Sequence, residues 1–181
     1  MSRVIESLDS LDRRWSASLC MKDLPASPGQ ILPRQWPVAL CARLADGPLW
    51  IAIGVAATVW GSTGLRETVL GAVTAVALTA CVVGAVKFVV RRERPRGAES
   101  ALWSTIPRYD HYSFPSGHAA RAACIAVVAA SADTRLLVPG MLLTLAVASS
   151  RVILGIHYLL DVVCGAAVGA LTAQVALLLL R

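Results

Sequence analysis

The chain has 181 residues, of which 56% are hydrophobic and 15% are charged, and its mean hydropathy is +0.65. Soluble domains carry about 45–50% apolar and about 25% charged residues, so this composition excludes a disordered chain and disfavours an ordinary cytosolic enzyme. The formal net charge of +6 suits nucleic acid or an anionic membrane surface, but the basic residues lie between long apolar runs and form no helical stripe, which favours a membrane and no nucleic-acid partner.

The N-terminal region, residues 1–46, is predicted to be amphipathic and interfacial. Apolar residues recur at helical spacing among charged ones from Val4 to Leu19, which predicts a helix lying on the bilayer, with a solvated tail helix as the alternative. Prolines crowd residues 24–37, which are expected to form a connector. The region lacks the apolar core of a cleavable signal peptide, so none is expected.

Residues 47–181 are predicted to be the catalytic part of an all-α, polytopic membrane bundle with about five transmembrane helices. A bilayer core about 30 Å thick needs roughly 20 helical residues, and only helices satisfy their backbone hydrogen bonds within lipid. The predicted spans are Leu49–Gly61, extended backwards through Val38–Leu44 across a break at Gly47-Pro48, then Thr68–Val90, Ala119–Ala132, Leu136–Ile156 and Tyr158–Leu180. The first and third are marginal in length. Small residues between Gly165 and Ala170 predict close contact with another helix.

Ionisable residues lie at the ends of these spans. A charge inside a span costs roughly 2.5–3.5 kcal/mol on insertion scales, so each of these residues is expected to have a role that offsets this cost. If the spans alternate in direction, five such residues share one membrane face: Lys87, Arg121, Arg151, His157 and Asp161. The loop at this face adds Arg91, Arg92, Arg94, Arg96 and Arg108. This concentration of cations predicts a site for a multivalent anion attached to an apolar group.

Two local patterns indicate what such a site does. Ser116 and Gly117 stand where the third span begins, so a hydroxyl and unpaired backbone N–H groups are available there to bind an anion. His157 and Asp161 are four residues apart, so they share a helical face. A carboxylate that accepts a hydrogen bond from one imidazole nitrogen leaves the other nitrogen free to attack. Arg151 offers a planar fork of donors to a phosphate.

Three motifs together resemble the signature of the type 2 phosphatidic acid phosphatase (PAP2) superfamily. They are Lys87-(six residues)-Arg94-Pro95, Pro115-Ser116-Gly117-His118, and Ser150-Arg151-(five residues)-His157-(three residues)-Asp161. The family includes membrane lipid phosphatases, glucose-6-phosphatase and soluble vanadium haloperoxidases. The resemblance covers roughly residues 85–165. Many bacterial members have six spans, whereas the N-terminal region here is amphipathic.

The resemblance implies a metal-independent phosphomonoesterase or pyrophosphatase that needs no cofactor. In that family His157 would be the nucleophile that takes up the phosphoryl group, oriented by Asp161. His118 would protonate the leaving oxygen and later activate water. The groups that hold the phosphate would be Lys87, Arg94, Ser116, Gly117 and Arg151. Phosphoryl transfer depends mainly on positioning and charge stabilisation, which agrees with the residue-level argument.

Neither a disulfide framework nor a metal site is predicted. The cysteine count of five is odd and includes no Cys-x-x-Cys pair, and three of the five lie in apolar runs, which indicates small buried thiols. Three histidines without a carboxylate cluster at ligand spacing make a poor catalytic zinc set. Taken alone, His157 and Asp161 are also compatible with a structural hydrogen-bonded pair.

Several residues keep two interpretations. Arg121, one helical turn from His118, is equally compatible with touching the substrate and with snorkelling to the headgroups. Arg91, Arg92 and Arg96 are interpreted as a positive-inside anchor. Two other functions stay open: a non-catalytic protein that binds or transports lipid phosphates, and a vanadate-dependent oxidant enzyme, against which the hydropathy argues.

The expected substrate is an amphiphile whose phosphate lies at the headgroup plane, and the other expected partners are membrane lipids. Size and composition look similar to bacterial family members that act on polyprenyl phosphates, including phosphorylated polyprenyl sugars; phospholipid phosphates and undecaprenyl diphosphate stay open. With five spans, the basic N-terminal tail shares a face with the site. The positive-inside rule then predicts a site at the cytoplasmic face of the bacterial inner membrane.

Overall fold

The fold is described from a computed structural model that covers residues 2–21, 36–44, 46–95 and 111–180. Within these ranges there are seven α-helices and no β-strand. The helices are α1 (Ser2–Leu19), α2 (Trp36–Arg43), α3 (Gly47–Trp60), α4 (Thr63–Val90), α5 (Gly117–Ala132), α6 (Leu137–Ile153) and α7 (Leu159–Leu179). A 3₁₀ turn, Thr134–Leu136, precedes α6. The predicted all-α class is confirmed.

Three helices are long and apolar enough to cross a membrane: α4, α7, and α6 together with the 3₁₀ turn before it. Helices α2 and α3 form a fourth candidate span that is bent by 56°, and α5 is apolar but only 16 residues long. The predicted break at Gly47-Pro48 lies at this bend. Pro48 sits in the first turn of α3, where its missing N–H costs no helical hydrogen bond. The chain is therefore an integral membrane protein built of helices.

Two helix boundaries differ from the predicted spans by three residues or more. Helix α4 begins at Thr63 rather than Thr68, because the Ser62 side chain accepts a hydrogen bond from the Leu65 amide and caps the helix. Helix α6 ends at Ile153, three residues early. The chain then turns through Gly155, whose φ of 65° is a conformation that residues with a Cβ rarely adopt. This turn carries the chain into His157.

Helix α5 lies at the centre and packs against α4, α6 and α7. It is buried through small side chains, among them Ala119, Ala120 and Cys124. On α7, a Cβ built at Gly165 would lie 2.4 Å from the Ser116 carbonyl oxygen. At Gly169 it would lie 1.9 Å from the Ala120 carbonyl oxygen. The predicted close contact through small residues is confirmed, and it brings the N-termini of α5 and α7 together. All five cysteines are free, but only Cys124 is buried as predicted, and Cys81 is exposed.

Helix α1 is amphipathic, as predicted, and its polar edge faces the protein. Asp12 and Ser16 are buried. Four apolar side chains of the same helix are exposed: Leu8, Leu11, Trp15 and Leu19. The polar residues contact the start of α7, so α1 lies across the end of the bundle at which α7 begins.

Candidate active site

The turn between α6 and α7 holds the predicted nucleophile. His157 is 3% exposed, and its Nδ1 lies 3.5 Å from Oδ2 of Asp161. The same carboxylate oxygen accepts a hydrogen bond from the Tyr158 amide at 2.9 Å, which fixes the carboxylate at the start of α7. Burial lowers the pKa of His157 to about 4, aided by the positive charges of Arg94 and Lys87 and opposed by Asp161. The imidazole is therefore neutral at neutral pH.

Arg94 faces the other nitrogen of this imidazole. Its Nη1 lies 3.2 Å from Nε2 of His157 and also donates to the Ile156 carbonyl oxygen at 3.2 Å. With the Nδ1 proton directed at Asp161, the lone pair of Nε2 faces the guanidinium. An anion bound to Arg94 would therefore bring its central atom close to a nitrogen that is able to attack.

The N-terminus of α5 is held against the same turn. The Ser116 amide donates to the Asp161 carbonyl oxygen at 2.8 Å, and the Ser116 hydroxyl accepts from the Ala119 amide at 3.5 Å. Ser116 is buried, and Gly117 is the first residue of the helix. The first amides of a helix favour negative charge, because they lack partners within the helix and lie at the positive end of its dipole.

His118 and Arg151 converge on a carboxylate that sequence reasoning missed. His118 Nε2 lies 3.1 Å from Oδ1 of Asp46, and Arg151 Nη2 lies 3.6 Å from the same oxygen. Arg151 also donates to the Ala42 carbonyl oxygen. Asp46 stands at the bend between α2 and α3, and its only signal in the sequence is an acid beside a Gly-Pro break. In this structure, Asp46 is the anion between a predicted catalytic residue, His118, and a predicted phosphate-binding residue, Arg151.

Lys87 and Arg121 line one cavity of about 320 Å³ that runs along α4 and α5. Lys87 Nζ donates to the Tyr112 carbonyl oxygen at 2.8 Å. Gly117 also lines the cavity, and α4 contributes mostly apolar residues between Val76 and Phe88. This geometry favours substrate contact for Arg121 over snorkelling, because the side chain shares a cavity with Lys87.

The interpretation of Arg92 as a membrane anchor is wrong. Its side chain is only 11% exposed, and Nη1 lies 2.7 Å from Oδ1 of Asp161. The signal that could have found it is the extended chain after α4, in which alternate residues such as Arg92 and Arg94 face the same side. Arg91 is exposed, with its guanidinium 4.8 Å from the centre of the Phe88 ring. Arg96 and Arg108 lie outside the described residues.

All the residues predicted for the site lie at one end of the bundle, where α4 and α6 end and α5 and α7 begin. One cluster joins His157 to Asp161 and Arg94. A second joins His118 to Arg151 through Asp46. Lys87, Gly117 and Arg121 line the cavity. The bond from the Ser116 amide to the Asp161 carbonyl ties the start of α5 to the first cluster.

Comparison with known proteins identifies the family. Residues 68–181 match the PAP2 superfamily, and this segment contains all three sequence motifs. The chain belongs to the PAP2 superfamily. The family resemblance that the motifs indicated is therefore confirmed.

Two relatives share part of their sequence with this chain. The chain is 33% identical to the probable lipid phosphate phosphatase beta of Arabidopsis thaliana, over 55% of this chain and 59% of that protein. It is 37% identical to the decaprenylphosphoryl-5-phosphoribose phosphatase of Mycolicibacterium smegmatis, over 64% of this chain and 62% of that protein. The matches thus span about three fifths of the length of these relatives.

Two solved structures share the fold. LpxE of Aquifex aeolicus superposes with a TM-score of 0.67 and 22% identity, covering 87% of this chain and 98% of that one. A transmembrane PAP2-type phosphatidylglycerolphosphate phosphatase from Bacillus subtilis superposes with a TM-score of 0.70 and 20% identity, covering 96% of this chain and 86% of that one. At these identities the likeness establishes the helical architecture.

Proposed function

We propose that this PAP2-family protein is a membrane phosphatase that hydrolyses a phosphomonoester or pyrophosphate of a lipid without a metal ion. The observation that carries the proposal is the setting of His157. Its buried imidazole is neutral, Nδ1 faces the Asp161 carboxylate, and Nε2 faces the Arg94 guanidinium at 3.2 Å. A protein that only binds a lipid phosphate needs the cations but not an oriented neutral imidazole.

In the first step, Lys87, Arg94, Ser116, Gly117 and Arg151 hold the phosphate oxygens. Nε2 of His157 attacks phosphorus, and a P–N bond forms as the bond to the leaving oxygen breaks. Burial lowers the pKa of His118 to about 4, whereas its hydrogen bond to Asp46 favours the protonated imidazole. Protonated His118 donates its proton to the leaving oxygen, so the lipid leaves as an alcohol, or as a shorter phosphate when the substrate is a pyrophosphate. Asp161 stabilises the positive charge that develops on the imidazole.

In the second step, water takes the place of the leaving group. His118, now without its proton, accepts one from the water as the oxygen attacks phosphorus. The P–N bond breaks, inorganic phosphate forms, and the electron pair returns to Nε2. The cations stabilise the charge on the equatorial oxygens in both steps, which is the main contribution a protein makes to phosphoryl transfer.

A lipid substrate is supported by the cavity of about 320 Å³ beside the site. Its lining includes the cations Lys87 and Arg121, and the other residues that α4 contributes are mostly apolar, which matches a phosphate on an apolar chain. One of the relatives acts on a decaprenylphosphoryl sugar phosphate. We therefore propose a polyprenyl phosphate or phosphorylated polyprenyl sugar as the substrate class. Residues 47–181 would form the catalytic bundle, and residues 1–46 the interfacial region.

The test is phosphate release by the purified protein in detergent with a chelator, assayed on a panel of lipid phosphates. We expect turnover by the wild type and a loss of at least about 100-fold in His157→Ala and in His118→Ala, because each removes a group that makes or breaks a bond. His111→Ala is the matched control, since it removes the exposed third histidine and should leave turnover unchanged. Lipid-phosphate binding without phosphate release would favour the non-catalytic alternative.

We also propose that the site faces the cytoplasm from a bacterial inner membrane. The support is the basic N-terminal tail and loop on that face. In a cysteine-free background, a cysteine replacing His111 should be shielded from a membrane-impermeant thiol reagent in intact cells. A cysteine replacing Arg135, which precedes α6 at the other end of the bundle, should be labelled. The reverse pattern would place the site outside.

A further inference from the structure

Arg92 connects helix α1 to the catalytic carboxylate. Its Nη1 lies 2.7 Å from Oδ1 of Asp161. Its Nη2 lies 2.6 Å from Oδ1 of Asp9 and 2.7 Å from Oδ2 of Asp12. The guanidinium carbon lies 4.2 Å from the centre of the Tyr158 ring. One planar side chain therefore holds three carboxylates, two from α1 and one from α7, and packs against the residue that precedes α7.

Helix α1 also caps α7. The first two amides of α7 have no partner within that helix. The Leu159 amide donates to the Ser16 hydroxyl at 2.8 Å, and the Leu160 amide donates to Oδ1 of Asp12 at 3.0 Å. These acceptors come from more than 140 residues earlier in the chain. The position of the α7 N-terminus, and with it that of Asp161, is therefore set by α1.

The two oxygens of the Asp161 carboxylate have different partners. Oδ2 faces His157 Nδ1 and accepts from the Tyr158 amide, whereas Oδ1 is held by Arg92. Nη1 and Nη2 of Arg92 donate to carboxylates, while Arg94 faces His157. Arg92 is thus placed to act on the imidazole through Asp161, without touching a phosphate bound at Arg94.

The charges in this cluster depend on the guanidiniums. Burial acts to raise the pKa of Asp9, but Arg13 and Arg92 outweigh it and hold that pKa below its usual range. Asp12 is 3% exposed and would be costly to bury without a cation. Losing Arg92 leaves Arg13 as the nearby cation on α1, and Asp161 loses the group that orients Oδ1.

We propose that Arg92 is a positioning residue that, together with Asp9 and Asp12 of α1, holds the Asp161 carboxylate against His157. The inference rests on the proposed function, because it assigns Asp161 its role beside the nucleophile. It gives the N-terminal helix a part in catalysis: α1 fixes the carboxylate through Arg92 and caps the helix that carries it.

The test compares Arg92→Gln with Arg91→Gln in full-length protein. The two changes remove guanidiniums from adjacent residues of one loop. The Arg91 side chain contacts only Phe88 among the contacts described for it. We expect Arg92→Gln to lower kcat by about 10- to 100-fold, as a misoriented catalytic group does, with KM and inhibition by vanadate within about twofold of wild type. Arg91→Gln should keep the wild-type kcat. Arg92→Lys should recover part of kcat, since an ammonium replaces the charge but not the fork.

Asp12→Asn provides a second, independent variant. Asparagine keeps an oxygen for the Leu160 amide and removes the charge that pairs with Arg92, so it disturbs the fold less. We expect it to lower kcat alone and to add little in the Arg92→Gln background, because both changes break one connection. Additive losses in the double variant would assign the two residues separate roles and overturn the proposal. If Arg92→Gln does not fold, the kcat and KM of Asp12→Asn decide.

The outcomes separate this inference from the proposed function. A wild-type kcat in Arg92→Gln and Asp12→Asn, with His157→Ala inactive, refutes the positioning role and leaves the phosphatase intact. A rise in KM with kcat unchanged would make Arg92 a substrate-binding residue and would also refute it. Full activity in His157→Ala would instead refute the proposed function itself.

Discussion

Replacing Gly165 with alanine tests whether the contact between α5 and α7 sets the geometry of the site. A Cβ at this position would lie 2.4 Å from the Ser116 carbonyl oxygen, whereas ordinary Cβ contacts begin near 3.4 Å. The two helices must therefore separate by about 1 Å there. The Ser116 amide is bonded to the Asp161 carbonyl at 2.8 Å, so the displacement acts directly on the turn that carries His157.

The expected cost has two parts. Overpacking of a close contact destabilises by about 1–3 kcal/mol, and a displacement of about 1 Å among catalytic groups lowers turnover by about 100-fold. At Gly169 the Cβ would lie 1.9 Å from the Ala120 carbonyl oxygen, which demands a larger separation one turn farther from the site. We therefore expect Gly169→Ala to lower the melting temperature more than Gly165→Ala does.

The assay is phosphate release together with the melting temperature of each variant in detergent. Gly71→Ala, within α4, is the matched control. A Cβ at Gly71 would meet only Leu180 Cδ1, at 3.9 Å, which is an ordinary van der Waals distance. That change should leave turnover unchanged and stabilise the helix by about 0.5–1 kcal/mol. Wild-type turnover and melting temperature in both Gly165→Ala and Gly169→Ala would refute the packing argument.

Three further predictions concern the site. Asp46→Asn removes a negative charge 3.1 Å from His118 and 3.6 Å from Arg151. Because this carboxylate is partly exposed, vanadate and phosphate should inhibit the variant about fivefold more strongly than the wild type. Weaker inhibition would contradict this prediction. Acidification from pH 6.5 towards pH 4 should lower the melting temperature of the wild type more than that of His157→Gln. The reason is that the pKa of His157 is about 4 in the folded protein. Between these pH values the unfolded chain binds a proton at this histidine that the folded protein does not bind, so acid favours unfolding. Vanadate should inhibit phosphate release competitively in the presence of a chelator and should support no halide oxidation. Halide oxidation would favour the alternative of a vanadate-dependent oxidant enzyme.

The parts of the account that could be predicted from sequence are those with local signals. The four-residue spacing predicted that His157 and Asp161 would lie close together on one helical face. They do lie close, but His157 is in the turn before α7 and not on the helix itself. Glycines in α7 indicated a close helix contact. The Gly-Pro pair predicted the break before α3. Each of these depends on residues near one another in the chain.

The contacts that could not be predicted join distant segments. Asp46 meets His118 across 72 residues, and Asp12 meets Arg92 across 80. The first depends on the bend between α2 and α3, and the second on which edge of α1 faces the bundle. Amphipathicity alone suggests that the apolar edge of such a helix is the one that packs. Here Asp12 and Ser16 are buried instead, because the first amides of α7 need acceptors.

The stereochemical course at phosphorus tests the central claim most directly, since it does not require an intermediate to accumulate. A lipid thiophosphate monoester made chiral with oxygen isotopes is hydrolysed in isotopically labelled water, and the configuration of the released thiophosphate is determined. Transfer to His157 followed by attack of water is two in-line displacements, which predicts retention of configuration. Inversion would mean that water attacks the substrate directly, and would remove His157 from the role of nucleophile.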